Sequence, residues 1–268
     1  MTSPETPTPV PVRATVRAAF RLVADHPRQI LLPITAIQLP VTLLTTFVVL
    51  FASLTYLQDE PLDPFEEGAR NTLFLYLVTM AAQLLLAQVA RAGAVAASAA
   101  AATGSTLAVS EALDPAFSRM GGLLTLALAA VAIAAIVVVP IAGWILAPYL
   151  GLRTILAFEA FVLEGVAPFQ ALGRSWEITR RRVLTMLGVV LLTAVVLVGP
   201  LLLVNGLSFI VQGSRTQQVF LSSLYSLVAG TFLIPVVAFI TATTTLFYLQ
   251  ATGAISDVRG NARGGSAL

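Results

Sequence analysis

Arg91, Arg153 and Glu159 lie inside long apolar stretches. Charges in such places are costly in hydrocarbon and often functional. Arg91 and Glu159 fall near the inner ends of their stretches, and snorkelling of the charged tip to the interface accounts for them. Arg153 falls deeper, about ten residues from the end of its stretch, or roughly 15 Å along a straight helix. Its guanidinium is expected to face the interior of a helix bundle and to find an acceptor there: a carboxylate, a carbonyl freed near a proline, or an anionic headgroup. A structural ion pair is the reading adopted, with a substrate contact in a polar cavity as the alternative.

Other chemistry finds little support. Metal-assisted phosphodiester cleavage needs clustered carboxylates and histidines, and the chain has one histidine, His26, beside Pro27. There is no cysteine, hence no thiolate nucleophile or thiolate metal site. Lysine is absent, so no phosphate loop of the Gly-rich, Lys-ending kind exists. Ser208, in "GLSF", has no intramembrane histidine to activate it. Asp59, Glu60, Asp63, Glu66 and Glu67 form an acidic loop without the spacing of a closed oxygen cage. We expect no catalytic site, no metal, no cofactor and no enzyme activity. A net charge of +2 is too small to argue for a nucleic-acid partner.

The elements that hold these residues follow from composition. The chain is 57% hydrophobic and 10% charged, against about 25% charged in soluble domains. The expected class is all-α: a polytopic helical membrane protein. Candidate spans begin at Gln29, Asn71, Val183 and Val219. Between them, 43 residues from Gly121 to Leu163 lack a polar loop. One straight helix of that length would be roughly 64 Å, twice the hydrocarbon thickness. A turn at "VVVPIAGWILAP", with Pro140, Gly143 and Trp144, would make it a hairpin.

Charge decides between the two. Arginines collect on the cytoplasmic side. Arg13, Arg17, Arg21 and Arg28 put the N-terminal end inside, and the acidic first loop can lie outside. Only a hairpin then returns Arg174 and Arg180 to Arg182 to the inside. The expectation is six spans in the cell membrane, with both termini cytoplasmic. Residues 1–11 read as a solvated leader, 12–255 as a single helical membrane domain and 256–268 as a solvated tail.

The segment "LEGVAPFQALGRSWEITRRRVLTM" has a second property. From Pro168, a favourable first helical residue, Phe169, Leu172, Trp176 and Val183 fall on one face. Gln170, Arg174, Glu177 and Arg181 fall on the other, with Glu177 and Arg181 spaced to pair at i,i+4. This is an amphipathic helix suited to lie in the plane of the cytoplasmic interface. Two more candidates precede hairpins. One carries an arginine stripe at 13, 17 and 21; the other places Leu107, Leu113 and Phe117 at the interface, interrupted at Asp114-Pro115. Gln83 and Gln88 are candidates for polar contacts between helices, and "RAGAVAASAAAATG" for close helix packing.

The stretch "APYLGLRTILAFEAFVLEGVAPFQALGRSWEITRRRVLTMLGVVLL" resembles a bacterial family, the membrane domain of glycerophosphoryl diester phosphodiesterases. The family pattern is a Tyr and an Arg within a span, then Glu-Gly, then an Ala-Leu-x-Arg-Ser-Trp helix and a basic cluster. Tyr149, Arg153, Glu164, Gly165, Ala171, Leu172, Arg174, Ser175, Trp176, Glu177 and Thr179 match it. Gly173 stands where a basic residue is common, and the last span ends differently. The resemblance implies a helical membrane unit without the phosphodiesterase activity, which belongs to a separate soluble domain. The expected function is a non-catalytic membrane scaffold or partner protein. Membrane lipids, with anionic headgroups at the cytoplasmic face, and a membrane-protein partner are its expected ligands. A small-molecule or lipid transporter is the alternative, and a membrane-bound lipid enzyme comes third.

Overall fold

The computed structural model describes residues 11–56, 67–136, 142–180, 182–208 and 215–255. Ten helices account for most of them, and no strand occurs among them. They are α1 (Val12–Asp25), α2 (Pro27–Tyr56), α3 (Glu67–Ala102), α4 (Val109–Ser118), α5 (Met120–Ala135), α6 (Ala142–Thr154), α7 (Ala157–Leu163), α8 (Pro168–Arg180), α9 (Val183–Ser208) and α10 (Arg215–Thr252).

Four segments are long and apolar enough to cross a membrane: Pro27–Val48, Leu77–Ala102, Leu146–Leu163 and Ser223–Thr252. A fifth arises if α4 and α5, bent by 73°, count as one span. The apolar helices point to membrane association. Pro33 and Pro40 sit within a continuous α2. Pro115 likewise lies inside α4, so the Asp114-Pro115 step does not interrupt that helix. Pro140, the centre of the expected turn, lies outside the described residues, while Gly143 and Trp144 fall in α6.

The chain makes three excursions and returns to the same end of the bundle each time. α2 and α3 leave and return, and the Gln29 side-chain amide donates to the Ser105 carbonyl at 3.1 Å. α5, α6 and α7 leave and return. A Cβ on Gly165 would lie 2.7 Å from Nη1 of Arg119, and one on Gly122 would lie 2.5 Å from the Phe161 ring. α9 and α10 leave and return, and Arg182 Nη1 donates to the Ala251 carbonyl at 2.8 Å. The surface helices α1, α4 and α8 each precede one excursion. Glycine is demanded at Gly122 by the buried Phe161 ring, and at Gly165 by a φ of +69°.

The core lies where α1, α3, α7, α8 and α10 converge. Val89, Val95, Leu123, Leu156, Phe161, Met186, Phe247 and Tyr248 are buried in it. α3 enters through its small residues, with Ala92, Ala94, Ala97 and Ser98 buried. α1 buries Thr15, Val16 and Ala19 and exposes Arg13, Arg17 and Arg21, so the arginine stripe faces out. Leu113 departs from the sequence reading. It packs into the core against α3, close to Gly93, and not at an interface. Bending at Arg119 tips α4 onto α3 and turns Leu113 inward.

Candidate functional site at the α6 to α8 junction

Helix α6 ends at Thr154 and α7 begins at Ala157. The break leaves two backbone groups without their helical partners, the Arg153 carbonyl and the Leu156 amide. Both are satisfied by one side chain on α8. Ser175 Oγ donates to the Arg153 carbonyl at 2.7 Å and accepts from the Leu156 N–H at 3.2 Å. Thr179, one turn on, adds a 3.4 Å contact to the same carbonyl. Ser175 and Thr179 are fully enclosed, and so is Ala171 one turn earlier. Small residues at this spacing let α8 approach the broken backbone closely.

The face of α8 that packs on the protein is Ala171, Ser175 and Thr179, with Leu172 and Ile178 half-buried beside it. Phe169, 77% exposed, points away from this face, and Trp176, 39% exposed, lies against Arg153 and Tyr149. The packing stripe is thus made of small and hydroxyl residues and lies apart from Phe169 and Trp176, the large apolar residues expected at the membrane interface. Arg174 and Glu177 are exposed, as read, but they pair with each other at i,i+3, 3.3 Å apart. The expected Glu177–Arg181 pair cannot be placed, since Arg181 lies outside the described residues.

Around this staple the charged groups interlock. Arg174 Nε donates to Glu164 Oε1 at 3.3 Å, and the Tyr248 hydroxyl on α10 donates to the same oxygen. Glu164 thus ties the end of α7 to α8 and α10. Arg153, immediately before the break, is 9% exposed. It donates to the Tyr149 hydroxyl at 3.0 Å, and its Cζ stands 5.1 Å from the Tyr149 ring centre and 5.0 Å from that of Trp176. The two rings meet edge to face at 6.0 Å. Desolvated cation–π contacts contribute about 2 kcal/mol each, comparable with the roughly 2.5–3.5 kcal/mol cost of an arginine in an apolar span. Among the described residues no carboxylate pairs with Arg153, where the sequence reading expected an ion pair. Its Nε and Nη1 are buried without an acceptor among the described residues. The straight-helix depth also falls away. Exposed Arg174 and Glu177 flank Ser175 in sequence, so the Arg153 backbone lies at the level of surface charges.

Glu159 and Arg91 form a second polar knot. Glu159, expected to snorkel, is fully buried. Its Oε1 accepts from Arg91 Nη2 at 3.4 Å and from the Thr244 hydroxyl at 2.5 Å, joining α7 to α3 and α10. Arg91 also lies over the Phe158 ring, 4.5 Å from its centre. Glu159 Oε2 has no hydrogen-bond partner among the described residues. Sequence reading missed Thr244 and Tyr248. Their signal was the unusually polar run "TATTTLFY" in the last apolar stretch.

His26 is exposed at the α1–α2 junction, and Gln83 and Gln88 are half-buried on α3. Asp59, Glu60, Asp63 and Glu66 lie outside the described residues. Among the described residues no three metal-ligating side chains cluster. Comparison of the chain with protein-family models, curated proteins and solved structures finds no match. The functional reading therefore rests on this geometry.

Two outcomes follow from it. Ser175→Ala orphans one carbonyl and one amide at about 1–3 kcal/mol each, so its midpoint in chemical or thermal unfolding should fall clearly. Gly173→Ala, at an open position in the same helix, should instead gain about 0.5–1 kcal/mol. For the second knot, Glu159→Leu leaves Arg91 unanswered and should cost about 3 kcal/mol. The double variant Arg91→Leu, Glu159→Leu should recover part of that loss, measured in a double-mutant cycle. Strict additivity would show that the two side chains do not interact.

Proposed function

We propose that this chain is a six-span protein of the cell membrane, with both ends cytoplasmic, which organises lipid or a partner membrane protein without a catalytic centre of its own. The observation that carries the reading is how its charges are used. Arg174, Glu164, Glu177 and Tyr248 hold one another, as do Arg91, Glu159 and Thr244. Such groups fasten helices together; they are not arrayed around a cleft for bond-breaking.

The six-span count is supported by the three excursions, each of which begins beside an arginine (Arg28, Arg119 or Arg182) and returns to the same end of the bundle. On this reading α5 and α9 cross together with the longer segments. α5 has 16 residues, about 24 Å of helix, and needs a few flanking residues to reach across. The reading also agrees with the resemblance to the membrane domain of glycerophosphoryl diester phosphodiesterases, whose pattern residues include Tyr149, Arg153, Glu164, Ser175 and Trp176. A transporter is the second reading. The enclosed Glu159 carboxylate, with an unanswered oxygen between α3, α7 and α10, favours it.

Absence of cysteine allows a clean topology test. Ser175 is enclosed, so position 173 is the better probe of the inner face. In intact cells Gly173→Cys should resist an impermeant thiol reagent and label after lysis, whereas Gly68→Cys should label from outside. Labelling of position 173 from outside would sink the hairpin. The purified chain should leave a glycerophosphodiester lipid unhydrolysed and should copurify from native membranes with lipid or a partner. Turnover that persists after removal of contaminating hydrolases would overturn the non-catalytic reading.

A further inference from the structure

We propose that Arg153, walled by Tyr149 and Trp176, receives the phosphate of an anionic phospholipid headgroup. The site rests on the membrane reading above and names its ligand.

Arg153 is a buried cation with no anion among the described residues. Arg91 is answered by Glu159, Arg174 by two carboxylates and Arg182 by a carbonyl. Arg153 has a neutral phenol and two ring faces. It is 9% exposed, and Nε and Nη1 are donors with nothing to donate to among the described residues. Ring faces satisfy the charge of a guanidinium but not its in-plane N–H groups. A phosphate oxygen does both.

The position is fixed in advance. Ser175 and Thr179 hold the Arg153 carbonyl, so the side chain cannot draw its backbone outward to reach water. Tyr149 and Trp176 each remain about two-fifths exposed, at 40% and 39%. They form an outward-facing wall of the two residue types that settle at headgroup level. Leu146, one turn before Tyr149 on α6, is exposed and apolar. It continues the surface along which an acyl chain would run. Arg174 and Glu177 on α8 mark the same level as the boundary with water. These features favour a headgroup with a tail over a soluble anion.

The chain contains two tryptophans, Trp144 and Trp176, so Trp144→Phe makes Trp176 the single reporter. The full-length variant is reconstituted in phosphatidylcholine vesicles. A minor fraction of either phosphatidylglycerol or phosphatidylcholine is brominated in the acyl chains close to the headgroup. Brominated phosphatidylglycerol should quench Trp176 as though enriched about fivefold at the site, the factor expected of one arginine–headgroup contact. Arg153→Gln should abolish the preference, Arg153→Lys should weaken it because the planar fork is lost, and Arg180→Gln on the exposed side of α8 should keep it. A preference that survives Arg153→Gln would assign it to general surface charge and overturn the site. Equal quenching by the two lipids in the Trp144→Phe chain would overturn it without reference to any further variant. Inorganic phosphate added to the protein in detergent should leave Trp176 emission unchanged. An Arg153-dependent response to phosphate alone would make this a soluble-anion site and overturn the lipid assignment. Equal quenching in a chain that labels at 68 and 173 as expected refutes this site and leaves the membrane reading intact. A chain that fails to enter vesicles refutes both.

Discussion

Ser175 holds the fold at its weakest point. A helix broken at Thr154–Leu156 must find new partners for a carbonyl and an amide, and in an apolar surrounding water does not supply them. One hydroxyl on α8 answers both. Everything nearby inherits its position from that contact. Trp176 follows Ser175 and is thereby set against Arg153; Arg174 precedes it and is set against Glu164. With α8 bonded to the break, α7 carries Glu159 into the interior, where it meets α3 and α10. A straight helix through this region would have left the Arg153 carbonyl occupied and α8 with nothing to bind.

The charged residues divide into two working groups. Glu164, Arg174 and Glu177 are partly exposed, and exposed ion pairs contribute little to stability, about 0–1 kcal/mol each. Their use is geometric: three helix ends are held in register by one carboxylate. The Arg91–Glu159 pair is different. With one partner fully enclosed, its net contribution is small while the loss of either partner is expensive. Such a pair specifies which helices meet more than how tightly they meet.

Much of this was legible in the sequence, and the parts that were not share a cause. The long helices could be placed because their apolar runs are bounded by charge and proline: α2 runs to Tyr56 and α9 starts at Val183, close to the expected limits. The arginine stripe of α1 and the charged flank of α8 were likewise visible as periodic patterns. Local rules failed wherever a tertiary partner decided the outcome. Glu159 looked like a snorkelling carboxylate because its partners lie 68 and 85 residues away in sequence. The face of α8 that packs on the protein was not visible, because no helical wheel knows that a carbonyl lies unsatisfied opposite Ser175.

The docking of α1 carries a consequence for how this molecule comes into being. Thr15 donates to the side chain of Gln250, 235 residues further along the chain, and α1 packs along α10 and α9. α1 is made well before α10 and thus has its resting place on a helix that is made much later. Until that helix arrives, the face of α1 that carries Val16 and Ala19 is only partly covered, and the arginine stripe beside it keeps the segment from sinking into hydrocarbon. The order of synthesis and the order of packing are reversed at this seam. Docking of α1 on α10 is therefore a late event, governed by the encounter of two segments far apart in sequence and not by the quick formation of either helix.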